Sequence, residues 1–194
     1  MINYNEYLKR KDEGELPDGL VRFRHSISWP INPETTNFHI GQYFTRDHDG
    51  IDIQVLDGTK VYSSARTRLI GIDVDPRDMV MTNFALLDEK TSAVYALGHL
   101  SRRNMSEKIP LKDYFFDLKS DIIFDEGEFV AEVIGWADEN EFGITKEIKK
   151  AFGKSYHHLH FGVQFCEKEE EIEKAWRNNR NLFNPLLILK EIMQ

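Results

Sequence analysis

Two pairs of potential metal ligands constrain this chain more than any other feature of its sequence. His158 and His160 are two residues apart in an apolar run, and on a β-strand that spacing places both imidazoles on the same face. His48 and Asp52 are four residues apart, and this even spacing also aims both side chains the same way on an extended segment. Two imidazoles and one carboxylate that converge from two strands form a zinc site with one open coordination position. We therefore expect a metal that activates a water molecule.

The bulk properties of the chain are those of one ordinary globular domain. Its 194 residues suffice for a full hydrophobic core. A net charge of -8 and the lack of a basic block argue against a nucleic-acid partner. No stretch approaches the roughly 20 apolar residues that a membrane span requires. The one cysteine, Cys166, can form no intrachain disulfide and is expected to be a small core residue near a strand end.

The first 28 residues form a polar lead-in without the apolar core of a signal peptide. Two locations therefore stand as expectations: the cell envelope or the exterior if a leader is missing from this chain, and the cytoplasm otherwise. The oligomeric state is left open by the sequence.

Short β-rich runs follow the lead-in and predict an antiparallel, mainly β core. The predicted strands are residues 51–55, 60–63, 67–74, 79–87, 92–100, 129–136 and 159–165, of which 79–87 and 92–100 form a hairpin. The predicted helices are peripheral: a short amphipathic piece at 145–152, a charged surface helix at 168–179, and a segment at 185–193 that packs back on the sheet. We find no internal repeat and no linker, so a single domain is the simplest interpretation.

Five short motifs occur in one order along this chain. They are His48-Asp49-Gly50-Ile51-Asp52-Ile53, Asp57-Gly58-Thr59-Lys60-Val61-Tyr62-Ser63, Gly98-His99-Leu100-Ser101, the stretch from Glu126-Gly127 to Ile134-Gly135, and His158-Leu159-His160-Phe161-Gly162. In this order they resemble the motifs of the lysostaphin-type, LytM-like zinc endopeptidases, which cleave the peptide cross-bridges of bacterial peptidoglycan. Each motif alone is a weak signal, whereas all five in sequence are a specific one.

This resemblance implies a role for each of five side chains. His48, Asp52 and His160 would bind one zinc ion per chain, and His99 and His158 would be catalytic histidines. Histidine suits proton transfer to and from a reacting peptide because its unperturbed pKa is about 6.5. How the two histidines divide the roles of base and acid is left open.

The resemblance also implies a fold and a groove. The expected fold is a single-domain antiparallel β-sheet groove, LytM-like and of the duplicated hybrid motif type, with peripheral helices. It would span residues 29–194 with insertions at about 102–126 and 137–156, both of which should rim the groove. Tyr156 and His157 are the candidates for lining the substrate groove.

Some residues depart from the family pattern or have two interpretations. Leu97 stands two residues before His99, where the family commonly has a tyrosine. Asp49 could tune the field of the metal, but an exposed carboxylate in a turn is the commoner case. The aromatic run at residues 114–116 is more often part of a core than a platform for substrate.

The leading functional expectation is a zinc metalloendopeptidase that hydrolyses peptide bonds in peptidoglycan stem or cross-bridge peptides. One alternative is a zinc peptidase with the same chemistry whose substrate is not a cell-wall peptide. Another is a regulatory LytM-like module without catalysis. A carbohydrate hydrolase ranks last because no carboxylate pair stands out across a sugar cleft.

Overall fold

A computed structural model describes residues 27–44, 48–74, 81–134, 157–166, 169–177 and 182–189. This part of the chain contains the strands β1 (His39–Gln42), β2 (Ile51–Gln54), β3 (Lys60–Tyr62), β4 (Thr67–Val74), β5 (Met81–Asp88), β6 (Ala93–Met105), β7 (Tyr114–Phe116), β8 (Ile123–Phe124), β9 (Phe129–Val133), β10 (His158–Phe165) and β11 (Leu182–Phe183). It also contains one α-helix, α1 (Glu169–Arg177), and a 3-10 helix at Pro185–Leu187. The predicted helix at 145–152, the insertion at 137–156 and residues 1–26 of the lead-in lie outside the described residues.

The strands pair antiparallel in one sheet, which confirms the mainly β prediction. The order along the sheet is β1-β2-β10-β6-β5-β4-β7. Strand β9 pairs with both β3 and β6, β8 pairs with β4, and β11 pairs with β10. The two strands that carry the histidine and aspartate motifs, β2 and β10, are therefore direct neighbours.

Strand β10 shows why the spacing of its histidines matters. Leu159, Phe161 and Val163 are all fully buried in the main hydrophobic core. Because side chains alternate along a strand, His158 and His160 lie on the opposite face, as predicted. The apolar residues of β10 hold the strand in the middle of the sheet, and its polar residues are thereby presented on one side.

Two apolar clusters lie on the two faces of the sheet. The main core covers one face, and a smaller cluster lies between the other face and α1, formed by Ile70, Ala85, Leu87, Val94, Cys166 and Ile172. Cys166 is buried, as predicted. Trp176 of α1 stacks on Phe116 of β7 with the ring centroids 5.8 Å apart. Beside the helix, the described residues of this face line a cleft.

Several elements differ from the sequence prediction. Strand β4 has the predicted bounds, but β6 runs to Met105 instead of ending at Leu100. The insertion at 102–126 contributes β7 and β8, which pair with β4 and widen the sheet. In the predicted surface helix Ile172 is buried, at 3% exposure, so only part of the helix faces solvent. Ile188 and Leu189 pack on the core, as the prediction for the C-terminal segment requires. No helix in the described ranges is long and apolar enough to cross a membrane.

Candidate metal and catalytic site

The pairing of β2 with β10 brings the predicted metal ligands together. His160 lies opposite Asp52 in the register of the two strands, so their side chains are neighbours on the cleft face. Asp52 Oδ1 lies 3.0 Å from His160 Nδ1 and 3.1 Å from His48 Nε2. Asp52 itself is only 7% exposed. One carboxylate oxygen is thus shared between two imidazole nitrogens at the edge of the cleft.

The separations of Asp52 Oδ1 from the two imidazole nitrogens can be compared with those between two ligands of one zinc ion. A tetrahedral zinc with bonds of about 2.0–2.1 Å holds its ligand atoms about 3.3 Å apart. The two distances from Asp52 Oδ1, 3.0 Å and 3.1 Å, are close to that separation. Nitrogen from histidine and oxygen from aspartate are also ordinary zinc ligands. Among the described residues, the group of potential ligands whose ligand atoms all lie within 4.8 Å of one another is His48, Asp49 and His160. Asp49, as well as Asp52, therefore lies close to the two imidazoles.

The outward nitrogen of each candidate ligand histidine has its own acceptor. His48 Nδ1 lies 3.1 Å from the backbone carbonyl oxygen of Tyr43. His160 Nε2 lies 3.2 Å from Asp49 Oδ1. In a neutral imidazole only one ring nitrogen carries a hydrogen. When His48 Nδ1 and His160 Nε2 carry it and donate to these acceptors, His48 Nε2 and His160 Nδ1 keep their lone pairs, and both face Asp52. Asp49 is therefore a member of the site and more than an exposed turn carboxylate.

Mutual hydrogen bonding sets the charges of the site. The hydrogen bond from His160 lowers the pKa of Asp49 below its ordinary value. Burial opposes the charged form of Asp52, but the hydrogen bond from His160 and the nearby histidines outweigh it and lower the pKa of Asp52. Burial would by itself lower the pKa of His160, but hydrogen bonds to Asp49 and Asp52 raise it to about 9. Without a metal, the site is stabilised by a protonated His160 between two carboxylates.

The metal-free protein is accordingly expected to lose stability as the pH rises from 6.5 to about 9. The raised pKa of His160 contributes stability that is fully present below its unfolded-state pKa and disappears as the pH passes the folded-state pKa. The two carboxylates, with lowered pKa values, contribute stability that is lost only under acid conditions. Thermal unfolding in chelator at a series of pH values measures this slope, and His160→Gln should flatten it. A melting temperature that rises with pH over this range would contradict the assignment.

Gly50 permits the close approach of the turn at residues 48–50 to β10. A Cβ atom at this position would lie 2.6 Å from the backbone oxygen of Phe161 and 2.8 Å from His160 Nε2. Neither distance is tolerable between non-bonded heavy atoms, so a larger residue would push the turn away from the strand. The glycine of the first motif is thus required by packing against His160 and the backbone of β10.

A β-bulge in β6 brings His99 to the same site. Thr82 pairs with Leu100 and Phe84 with Leu97, which leaves Asn83 facing two residues of β6. His99 has a φ of 62°, a left-handed conformation that costs a side-chain-bearing residue of the order of 1–3 kcal/mol. Its backbone N–H donates to Asn83 Oδ1 at 3.4 Å.

The bulge turns the His99 ring toward His158. The two ring centroids are 4.5 Å apart and the rings meet edge to face. His99 Nδ1 lies 3.1 Å from Met81 Sδ, and His158 Nε2 lies 3.7 Å from Asp52 Oδ1. The two predicted catalytic histidines therefore form a pair directly beside the predicted metal ligands.

The site opens into a cleft of about 450 Å³ on the same face of the sheet. Its end near the metal ligands is formed by Asp49, His99 and His160, and its far end by Asp73, Tyr114 and Trp176. Between them the floor consists of small or polar residues, among them Ala96, Gly98 and Asn83.

Of the two predicted groove residues, the structure describes only His157. Tyr156 lies outside the described residues. His157 immediately precedes β10, is half-buried, and its backbone carbonyl accepts a hydrogen bond from the Val55 N–H at 3.2 Å. A groove-lining role for either residue stays a prediction.

Comparison with solved structures identifies the fold. The chain is similar to Csd3 from Helicobacter pylori with a TM-score of 0.51 and 17% identity, over 87% of this chain and 34% of that one. It is also similar to the NMR solution structure of lysostaphin, with a TM-score of 0.49 and 14% identity over 88% of this chain and 57% of that one. A third neighbour is CbpA from L. salivarius REN (TM-score 0.47, 12% identity, 84% and 94%). No family model and no curated protein sequence matches the chain.

The chain has the LytM/lysostaphin-type fold. The likeness to Csd3 concerns the fold alone, because only 17% of the aligned residues are identical. The chain also spans only about a third of the Csd3 chain, since the match covers 34% of it.

Proposed function

We propose that the protein is a zinc-dependent endopeptidase that hydrolyses peptide bonds in the stem or cross-bridge peptides of peptidoglycan. The observation that carries this proposal is the position of Asp52 Oδ1, within 3.1 Å of two imidazole nitrogens beside an open cleft. The LytM/lysostaphin-type fold supports the choice of wall peptides as substrate.

Three side chains are suited to hold the metal: His48 through Nε2, Asp52 through its carboxylate, and His160 through Nδ1. When bound there, zinc lowers the pKa of a bound water to about 7 and polarises a peptide carbonyl. Asp49 and the carbonyl of Tyr43 keep the two imidazoles in the tautomers that a metal requires. Three protein ligands leave one position open, as catalytic zinc sites do.

His99 and His158 are suited to move the protons of the reaction. Peptide hydrolysis needs a base that takes a proton from water and an acid that protonates the leaving amine. The two rings are in contact with each other, at 4.5 Å between centroids, and His158 Nε2 is 3.7 Å from Asp52 Oδ1. Both therefore lie beside the metal position, where a neutral imidazole accepts a proton and an imidazolium donates one or stabilises the oxyanion.

Analysis of the bond that is cleaved tests this function. Purified peptidoglycan incubated with the zinc-loaded protein should gain new α-amino groups and no new reducing sugar ends. Zinc-loaded His158→Ala, which should keep the metal, serves as the matched inactive protein. New reducing ends without new amino groups would show a glycosidase and overturn the proposal.

Replacing Asp49 with asparagine is expected to weaken zinc binding by about 10–100-fold, the range typical of a partner that orients a ligand histidine. The amide cannot supply the negative charge that His160 Nε2 contacts at 3.2 Å. A competition titration with a fluorescent chelator measures the affinity. Asp121→Asn, at an exposed carboxylate, is the control and should bind like wild type. If Asp49→Asn instead bound no zinc while Asp52→Asn bound normally, Asp49 would be the metal ligand.

A further inference from the structure

Met81 is a buried apolar residue outside the five motifs, and it lies beside the site instead of in the core. Its side chain is 1% exposed, yet it belongs to neither of the two apolar clusters that the described residues form. Met81 is the first residue of β5, in which Phe84 and Leu86 pack in the main core. Because side chains alternate along a strand, Met81 and Asn83 lie on the opposite face, which carries the cleft.

Strand β5 contacts His99 at two points from this face. Met81 Sδ lies 3.1 Å from His99 Nδ1, and Asn83 Oδ1 accepts a hydrogen bond from the His99 backbone N–H at 3.4 Å. His99 has a φ of 62°, so regular strand geometry does not set the direction of its side chain. The contact with Asn83 anchors its backbone, and the contact with Met81 anchors its ring.

The chemistry of sulfur determines which nitrogen of His99 carries the hydrogen. A thioether has no hydrogen to donate and can act only as an acceptor. The contact of 3.1 Å is therefore a hydrogen bond when Nδ1 carries the hydrogen and donates it to Sδ. In the neutral imidazole the other nitrogen, Nε2, then keeps its lone pair. This lone pair points away from Met81, because the two nitrogens lie on different edges of the ring.

We propose that Met81 is a positioning residue that orients the His99 ring and holds it in the Nδ1–H tautomer. This inference rests on the proposed function and deepens it, since it assigns Nε2 as the atom through which His99 accepts a proton. A general base needs a lone pair on the nitrogen that meets the reacting group. When a water oxygen bonds to the peptide carbon, the proton that this water loses is taken up at Nε2, and the ring becomes an imidazolium.

NMR of the imidazole nitrogens tests the tautomer without any measurement of activity. In the zinc-loaded wild-type protein, at a pH where the ring is neutral, His99 should carry its hydrogen on Nδ1. Its signal is identified by its absence from His99→Ala. Met81→Leu nearly conserves the volume of the side chain and removes the acceptor, so His99 should then show the other tautomer or a mixture. A hydrogen on Nε2 in the wild-type protein would overturn the proposal.

Kinetics on purified peptidoglycan measure what the contact contributes. Met81→Leu should lower kcat by about 2–10-fold, the factor that corresponds to one uncharged hydrogen bond, with KM and zinc content unchanged. Met81→Gln, whose side-chain carbonyl oxygen can accept from Nδ1, should recover part of this loss. Met105→Leu, at a partly buried methionine that packs against the main core, is the matched control and should behave like wild type.

The two readouts separate a positioning role from a packing role. A lower kcat of Met81→Leu with the wild-type tautomer of His99 would make Met81 a packing residue and overturn the proposal. Wild-type kcat together with a changed tautomer would also overturn it, and both results leave the proposed function intact. Inactivity of the zinc-loaded wild-type protein would instead overturn the proposed function, and with it the role of Met81 in the reaction.

Discussion

Alanine at Asp52 is expected to lower zinc affinity by more than about 100-fold, beyond the effect of losing a partner that only orients a ligand. The carboxylate oxygen that lies 3.0 Å from His160 Nδ1 and 3.1 Å from His48 Nε2 is removed. Only two protein ligands then remain for the metal. Elemental analysis after dialysis should show about one zinc per wild-type chain and almost none in the variant.

The loss must be separated from a loss of fold. Removing Asp52 also leaves a protonated His160 with one carboxylate fewer, so metal-free Asp52→Ala should unfold at a lower temperature than metal-free wild type. Asp52→Asn keeps the size of the side chain and should lose zinc with a smaller effect on melting. A zinc content near one per chain in folded Asp52→Asn would rule out Asp52 as a ligand.

The second large effect is expected at His158. Replacing it with alanine should lower kcat for wall-peptide release by about 10²–10⁴-fold, the range of general acid–base catalysis. Zinc content should stay near that of wild type, because His158 contacts Asp52 only at 3.7 Å and faces His99. Rates of release of new amino groups at saturating substrate measure the effect.

His99→Ala and the double variant sharpen this test. If the two histidines act as one unit, the double variant should be little slower than either single variant, because residues of one catalytic unit are strongly non-additive. His39→Ala, at an exposed histidine of β1, is the matched control and should be fully active. A His158→Ala variant that loses its zinc would instead make His158 a metal ligand.

Strand β10 shows how far the sequence alone reaches. The alternation of His158, Leu159 and His160 predicts which face each side chain takes, and the structure confirms it because the apolar members are buried in the main core. The convergence of His160 with Asp52 depends in addition on the pairing of β2 with β10, and His48 lies in the turn before β2 and not on an extended segment as predicted. The face that a side chain takes can be predicted in this way wherever a strand alternates regularly, with a period of two residues.

His99 shows where the same reasoning ends. Leu97 and Leu100 are both core residues, at 1% and 0% exposure, although they are three positions apart. Strict alternation would give them opposite faces, and only the bulge at Asn83 reconciles their burial with a His99 that reaches the cleft. The role of His99 was predicted from the resemblance to LytM-like enzymes, because the alternation of side chains along β6 does not predict that His99 reaches the cleft.

The remaining features depend on contacts between distant segments. Asp49 joins the site because Gly50 lets its turn approach β10, a closeness that no local pattern encodes. Phe116 of the insertion stacks on Trp176 of α1 across 60 positions of sequence. The charge run of α1 indicated a solvated helix, whereas the buried Ile172 and the stacked Trp176 show that one side of the helix packs on the sheet.

The central claim, that this fold carries a working zinc site, is tested most directly by one paired measurement. Zinc per chain is determined for the wild-type protein before and after removal of the metal, and each sample is incubated with purified peptidoglycan. We predict about one zinc per chain with release of wall peptides, no release after metal removal, and recovery when one equivalent of zinc is restored. Wall-peptide release that is equally fast without zinc, or a protein that binds no zinc on reconstitution, would contradict the claim.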